Sequence, residues 1–461
     1  MNRVTDLFLK ALGAIYLIAF VSFGVQAEGL IGSQGVLPVG NYLSSMHQAL
    51  GASAFWYAPT VFWLNSSDLA LRVVWIAGAG VAIILILGVK RRACLAVLLI
   101  LYLSISTAGQ EFWSFQWDIL LTEAGFLAIF ADGSRGRAWL FRWLLFRVMF
   151  MSGAVKLLSG DPTWRGLTAM SYHYETQPLP TPLAWYMHQL PGWFQKLSTL
   201  FMFLAELLVP FLIFAPLKLR RIAAAVLVGL QVLILLTGNY TFFNLLAIAL
   251  CLFLFAAAPG RGAPLESRLH RAVTMALMVF VLTTSGLQFL EMFRVPLPAP
   301  ARGYLAWISP LRLINSYGLF AVMTTTRAEI VVEGSNDGTA WAAYEFRYKP
   351  GDVQRAPPWV APYQPRLDWQ MWFAALGNAR ENAWFYNFAA RLMQGSAPVL
   401  GLLRRNPFPG AAPRYIRAVV YDYRFTDFAQ RRSSGAWWRR EEKGIYLPAI
   451  SLRHRMAPAA P

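Results

Sequence analysis

Residues 69–109 read LALRVVWIAGAGVAIILILGVKRRACLAVLLILYLSISTAG. Two apolar runs flank the basic triplet Lys90–Arg91–Arg92. A helix needs about 20 largely apolar residues to cross a bilayer, so each run has roughly the required length. A hydrophobic hairpin with its charges at the turn is a membrane pattern. The pattern recurs outward from there, with apolar segments at roughly 7–25, 69–89, 93–109, 116–131, 138–158, 195–215, 221–237, 242–258 and 272–292. The fourth and eighth are short. Over 461 residues the composition agrees, being 57% apolar and only 14% charged. Ordinary soluble domains carry about 25% charged residues.

The connecting segments carry an alternating charge. Lys90–Arg91–Arg92, then Arg135 and Arg137, then Lys218, Arg220 and Arg221, then Arg261, Arg268 and Arg271 occupy every second loop. The intervening loops hold almost no Lys or Arg: residues 27–71 and 109–118 have none, and 160–193 have only Arg165. Cationic loops stay in the cytoplasm. The N-terminus is therefore expected inside, and nine crossings bring the C-terminus outside. The net charge of +18 follows from the same bias and from anionic headgroups. No basic-aromatic groove or nucleic-acid motif accompanies it, so no nucleic-acid partner is expected. Cys94 and Cys251 lie inside predicted spans and form no CxxC pair, which argues against a disulfide, a zinc site or a redox pair. Residues 1–293 thus read as a transmembrane helical domain, with the first helix retained rather than cleaved.

Two outside loops, 28–68 and 160–193, are long enough to be functional or to form short helices of their own. The second contains Asp161–Gly166 and Tyr172–Pro180. Its Trp164, Arg165, His173, Tyr174 and Glu175 are the candidate contact residues. His47, His173 and His188 match no ligand spacing, so neither a metal nor another cofactor is expected. Asn65–Ser66–Ser67 and Asn239–Tyr240–Thr241 are glycosylation sequons. Trp113, Trp117, Trp164, Trp185 and Trp193 read as an interfacial aromatic belt.

From Arg294 the pattern changes. Pro296, Pro298 and Pro300 predict a stiff linker over 294–312. Alternation over 328–333, a polar turn at Gly334–Gly338 and alternation over Trp341–Tyr348 predict a β-hairpin. Further strands are expected at Tyr415–Thr426 and Gly444–Leu452, with helices over Leu367–Leu376 and Ala383–Met393. The expected fold is a polytopic α-helical bundle of about nine spans. A β-rich, sandwich-like extracytoplasmic domain with a helical insertion follows at 313–461. Trp341, Asp368, Trp369 and Trp372 are its client-binding candidates.

Ionisable residues inside spans cost several kcal/mol unless paired, so they mark staples or functional sites. Asp118, Glu123, Arg147, Lys156 and Glu206 form such a set. Helical rise puts Asp118 level with Lys156, and Arg147 within reach of Glu123 or Glu206. As staples they would tie helices together. As a polar cavity they would present Lys156 as a desolvated base.

Several long motifs resemble the lipase maturation factor family. They are Gly29–Pro38 (GLIGSQGVLP), Phe115–Gly125 (FQWDILLTEAG), Trp164–Pro178 (WRGLTAMSYHYETQP), Gly238–Asn244 (GNYTFFN), Ile314–Phe320 (INSYGLF), Val332–Trp341 (VEGSNDGTAW) and Leu367–Phe373 (LDWQMWF). The resemblance covers nearly the whole chain. It implies a membrane chaperone assisting exported, lipase-like client proteins. Relatives of that kind reside in the endoplasmic reticulum membrane, whereas the Ala-rich, Cys-poor composition points to a bacterial inner membrane. Phe150–Lys156 with Trp164–Gly166 is also similar to the membrane region of vitamin K-dependent gamma-carboxylases, in which a lysine at the position of Lys156 acts as base. That likeness implies an alternative, a membrane enzyme acting on a lipid or quinone. A transporter is a third reading, although no inverted repeat or broken-helix pair accompanies it. Membrane lipids are expected partners on every reading.

Overall fold

The computed structural model describes residues 3–256 and 267–452. Arg261 and the last residues of the C-terminal segment, 453–461, lie outside them. Helix α1 (Arg3–Gly24) packs lengthwise on α2 (Asp68–Ile86), which is followed by α3 (Arg91–Ala108). Gly78 permits the first of these contacts, because a Cβ there would overlap the Phe20 ring. Helix α4 (Gln116–Ile129) has only 14 residues. Helix α5 (Arg135–Leu158) runs through the middle of the bundle and is mostly buried. The next loop folds into α6 (Met170–Thr176) and α7 (Pro182–His188).

Helix α8 (Gly192–Phe203) continues without a break through a π turn at Leu204–Leu208 and a 3-10 segment at Val209–Phe214. Pro210 explains the irregularity: it lacks an N–H, and its ring would collide with the Glu206 carbonyl of a regular α-helix. Then come α9 (Leu217–Thr237), the short α10 (Phe243–Cys251) and α11 (Arg268–Met292).

Among the described residues, seven helices are long and apolar enough to cross a membrane. Seven of the nine expected segments therefore form helices of spanning length. The fourth and eighth apolar segments form the 14-residue α4 and the 13-residue Phe243–Phe255 stretch. At about 1.5 Å per residue these helices reach roughly 20 Å, short of the ~30 Å hydrocarbon core. The long-loop expectation is met by short helices, among them Val39–Leu50 within 28–68.

The proline-rich linker is helical. Pro298 caps α12 (Ala299–Ile308), and Pro300 sits in its first turn, where a missing N–H costs nothing. Trp307 of α12 stacks on Trp56, with ring centroids 4.7 Å apart.

The C-terminal part is one antiparallel four-stranded sheet in the order β2-β1-β5-β6, with a separate two-stranded β3-β4 pair. The strands are β1 (Arg327–Ser335), β2 (Ala342–Ala343), β3 (Glu345–Phe346), β4 (Leu403–Arg405), β5 (Tyr415–Phe425) and β6 (Trp438–Ile450). Among the described residues no second sheet closes over the four-stranded one, so the sandwich expectation fails. The core side is covered instead by α13 (Arg366–Ala374) and α14 (Ala383–Met393), which bury Trp369, Met371, Trp384, Phe385 and Phe388. The predicted hairpin is reduced to the pairs Glu333–Ala343 and Gly334–Ala342. Between β5 and β6 the chain forms helix α15 (Phe428–Ser434), closed by a left-handed Gly435.

Candidate functional site

Buried charge pairs join the helical part to the sheet part. Asp118, fully buried at the start of α4, receives a two-pronged bond from Arg366 at the start of α13, both N–O distances being 2.7 Å. Tyr102 donates to the same carboxylate at 2.5 Å. Arg366 also donates to the Phe112 carbonyl and stacks 4.0 Å from the Trp113 ring centroid. The geometric expectation that Asp118 pairs with Lys156 is therefore incorrect. Its partner comes from 248 residues downstream, a distance helical rise says nothing about.

Glu123 pairs with Arg147, one of the two expected options. Three further donors converge on Glu123 Oε2: the Asn315 backbone N–H (3.0 Å), the Asn315 amide (3.2 Å) and the Tyr317 hydroxyl (2.8 Å). Arg147 in turn donates to the Asn315 carbonyl at 3.0 Å. The Ile314–Phe320 motif is thus a plug in the bundle, and its polar atoms complete a buried pair that would otherwise be under-bonded.

A third set fixes the loop holding α6. Arg327 of β1 is buried and donates to the carbonyls of Glu175, Gln177 and Pro178. It also pairs with Glu329, which Lys349 contacts at 2.8 Å. Glu175 accepts the Phe425 N–H at 2.6 Å, and burial raises its pKa. Asn239 bridges the Val360 and Ala361 N–H groups to the carbonyls of Leu179 and Pro358. The Asn239 sequon is therefore a buried structural joint, whereas Asn65 is exposed.

Lys156 and Glu206 form the remaining pair, 2.7 Å apart. Lys156 also donates to the Ser152 carbonyl at 3.0 Å and lies over the Trp164 ring. The Lys156 amine is thus engaged by a carboxylate, a carbonyl and an aromatic face rather than left open to a substrate. Gly153, one helical turn earlier, makes the approach possible, since a Cβ there would come within 2.9 Å of Glu206 and Leu207 side-chain atoms.

This pair lies at the wall of a cavity of ≈ 570 Å³, within the roughly 300–1,000 Å³ typical of small-molecule sites. The cavity is a wedge. Helix α9 packs on the Val209–Phe214 segment but separates from α8 above it, while α6 and α7 close the end. Its walls are apolar, and several wall residues face the bilayer: Leu197 is 55% exposed and Leu233 50%. Among the described residues lining it, Lys156 and Glu206 are the only formally charged ones. His173 is half-buried, and desolvation of its ring pushes its pKa down to about 4. Three lining residues carry buried polar atoms without a protein partner: Trp117 Nε1, His173 Nδ1 and Asn244 Oδ1. Such atoms each cost about 1–3 kcal/mol.

The sequence-predicted residues are thus dispersed. Lys156, Glu206, Trp164, His173 and Tyr174 line the cavity. Arg165 is exposed and away from it, and Glu175 holds the sheet. Asp368, Trp369 and Trp372 are buried, Asp368 accepting the Tyr348 and Lys349 N–H groups. Trp341 is half-buried and lies under Arg417. Arg366, Asn315, Tyr317, Arg327 and Asn239 were not foreseen as site residues. Asn315, Tyr317 and Asn239 sit in motifs that carried the family resemblance and Arg366 directly precedes one, which was the available signal; Arg327 lies outside them.

Comparison with known proteins shows residues 3–259 matching the lipase maturation factor transmembrane domain and residues 313–448 matching the lipase maturation factor C-terminal domain. The chain is 36% identical to lipase maturation factor 2 of Gallus gallus over 98% of its own length and 82% of the relative's. It is likewise 36% identical to lipase maturation factor 1 of Bos taurus, covering 96% of the chain and 88% of the relative. No solved structure matches the chain.

Proposed function

This chain belongs to the lipase maturation factor family, and from that premise we propose that it assists the folding and assembly of exported, lipase-like client proteins at a membrane. The observation that carries this reading is the match over both the helical and the sheet parts, which are also interlocked through Arg366–Asp118 and Asn315–Glu123. The sheet part thus acts as a platform held rigidly at one end of the bundle.

The proposed orientation has the N-terminus in the cytoplasm and residues 313–461 outside, in a bacterial inner membrane. The loop charges support it: Lys90, Arg91, Arg92, Arg135 and Arg137 share the end opposite to Arg366 and its sheet.

Client contact would use the outer edge of β6. Strand β5 is flanked by β1 and β6 and has no free edge. β6 pairs on one side only and exposes Arg439–Lys443. Its charges deter self-pairing while leaving backbone groups for a client strand. Half-buried Trp341 is a second contact candidate.

A photo-crosslinking residue at exposed Glu442, with a lipid-facing control at Leu69, tests this. The Glu442 probe captures an exported hydrolase before it becomes active, and the control does not. Unchanged activity of every exported lipase in cells lacking the chain would refute the reading.

A further inference from the structure

We propose that the wedge between α8 and α9 binds an uncharged lipid bearing a hydroxyl head, with its hydrocarbon chain entering from the bilayer and its hydroxyl meeting His173 and Asn244. This inference is independent of the maturation role, and client activity is not its readout.

The shape supplies the tail site. The walls between α8 and α9 are aliphatic and aromatic, and Leu197, Phe201, Leu233 and Leu236 are each exposed at the surface that faces hydrocarbon. A chain leaving the bilayer into this wedge exchanges one apolar surrounding for another. Affinity therefore rests on the polar end.

The charges exclude an ionic head. Lys156 and Glu206 compensate each other at 2.7 Å. His173 is held neutral by its burial. A carboxylate or phosphate entering here would lose its hydration and find no uncompensated cation.

The hydrogen-bond network fixes what the head must offer. Gln177 donates through its amide nitrogen to the Tyr174 and Thr237 carbonyls, so its Oε1 is an acceptor. Tyr240 gives its proton to that oxygen at 2.9 Å. The Nε2 of His173, 3.3 Å from the Tyr240 oxygen, must then be the donor in that contact. In a neutral ring this leaves Nδ1 as a bare acceptor, and it has no partner in the protein. Asn244 donates through Nδ2 to Gln231, leaving its Oδ1 as a second unpartnered acceptor. Trp117 Nε1 is an unpartnered donor. Two acceptors and one donor complement a hydroxyl, which both gives and takes a hydrogen bond. They complement a ketone or ester less well, because such a group only accepts.

Two kinds of lipid share this chemistry, a glyceride alcohol and a prenylated hydroquinone. The full chain in phosphatidylcholine nanodiscs is labelled with a diazirine-bearing diacylglycerol. Dioleoylglycerol, the corresponding triacylglycerol, a reduced prenylated quinone, its oxidised form and oleate serve as competitors. Each hydroxyl form competes about fivefold better than its acylated or oxidised counterpart, the worth of one hydrogen bond, and oleate competes poorly. Whichever hydroxyl lipid competes better identifies the source. Labelled peptides map to α8 and α9. L233W, a substitution at the lipid-exposed wall, cuts labelling at least fivefold without touching the buried pairs. N244L narrows the preference for hydroxyl over ester. Equal competition by all five lipids, or labelling that survives L233W, overturns the proposal.

Discussion

Replacing Arg366 by Met isolates the contact that ties the sheet to the bundle. The side chains of Arg366 and Asp118 are 3% and 0% exposed. Met keeps the apolar stem over Trp113 but removes both bonds to Asp118 and the one to Phe112. Breaking a buried ion pair on one side costs about 3–5 kcal/mol, because the remaining charge is left in a dry site. The loss of stacking on Trp113 adds to this. Tyr102 still donates to Asp118, which keeps the figure toward the lower end. At about 1.4 kcal/mol per factor of ten, the undocked population rises at least a hundredfold. Undocking frees Arg312, which is half-buried beside Trp113 at the junction. Trypsin cleavage at Arg312, followed by gel densitometry in detergent, reads the open population when opening is fast relative to cutting. R366M speeds this cleavage about a hundredfold. The double variant R366M/D118L recovers much of the loss, since no charge is then stranded, while R366K recovers little because a lysine lacks the two-pronged fork. A cleavage rate for R366M within fivefold of the parent, or strict additivity in the double variant, would refute the reasoning.

Three more outcomes follow from single sites. G153V forces α5 away from the π turn that holds Glu206, costing about 1–3 kcal/mol by overpacking; a lowered melting temperature in detergent, with G153A intermediate, checks it. N239A strands the Val360 and Ala361 N–H groups at about 1–3 kcal/mol each; in a glycosylating host the same proposed orientation gives a gel shift abolished by N65Q and untouched at Asn239. His173, with its folded pKa depressed to about 4 by burial, binds fewer protons folded than unfolded below pH 6.5. Stability is therefore lost as pH falls from about 6.5 towards 4, by up to about 3 kcal/mol, and H173F flattens that part of the pH–stability curve measured by thermal unfolding.

The seven long spans were legible because hydrocarbon thickness imposes a length that sequence displays directly. The fate of Phe243–Phe255 was not, because apolarity says nothing about how much height a neighbour supplies. Helices α13 and α14 were foreseen within a residue or two from their 3.6-residue periodicity, and β5 from its alternation. The helical cover of the sheet was not available from pattern alone: alternation shows that a strand has one buried face but not whether helix or sheet covers it. Glu123–Arg147 could be guessed from depth on adjacent helices. Asp118–Arg366 could not, because a partner 248 residues away lies on no common axis. The cavity was hidden for another reason. It arises from the separation of α8 and α9 and from the closing loop, and apart from Lys156 and Glu206 no residue type in its wall is unusual for a membrane helix.

The short α4 explains why the two parts of the chain cannot be separated cleanly. Its 14 residues fall about 9 Å short of the hydrocarbon thickness. Its first turn therefore begins below the membrane surface, with Asp118 at that level. The missing height is filled by the sheet part: Trp369 packs on Trp117 with centroids 4.8 Å apart, Phe373 lies near Phe115, and Arg366 neutralises Asp118. Deleting residues 296–461 would accordingly remove the partner of Asp118 and the Asn315 and Tyr317 donors to Glu123, leaving two buried carboxylates under-bonded. Such a truncation would report bundle destabilisation rather than loss of client contact. Point changes on the outer edge of β6, away from every buried pair, are the substitutions that distinguish a client surface from a structural cap.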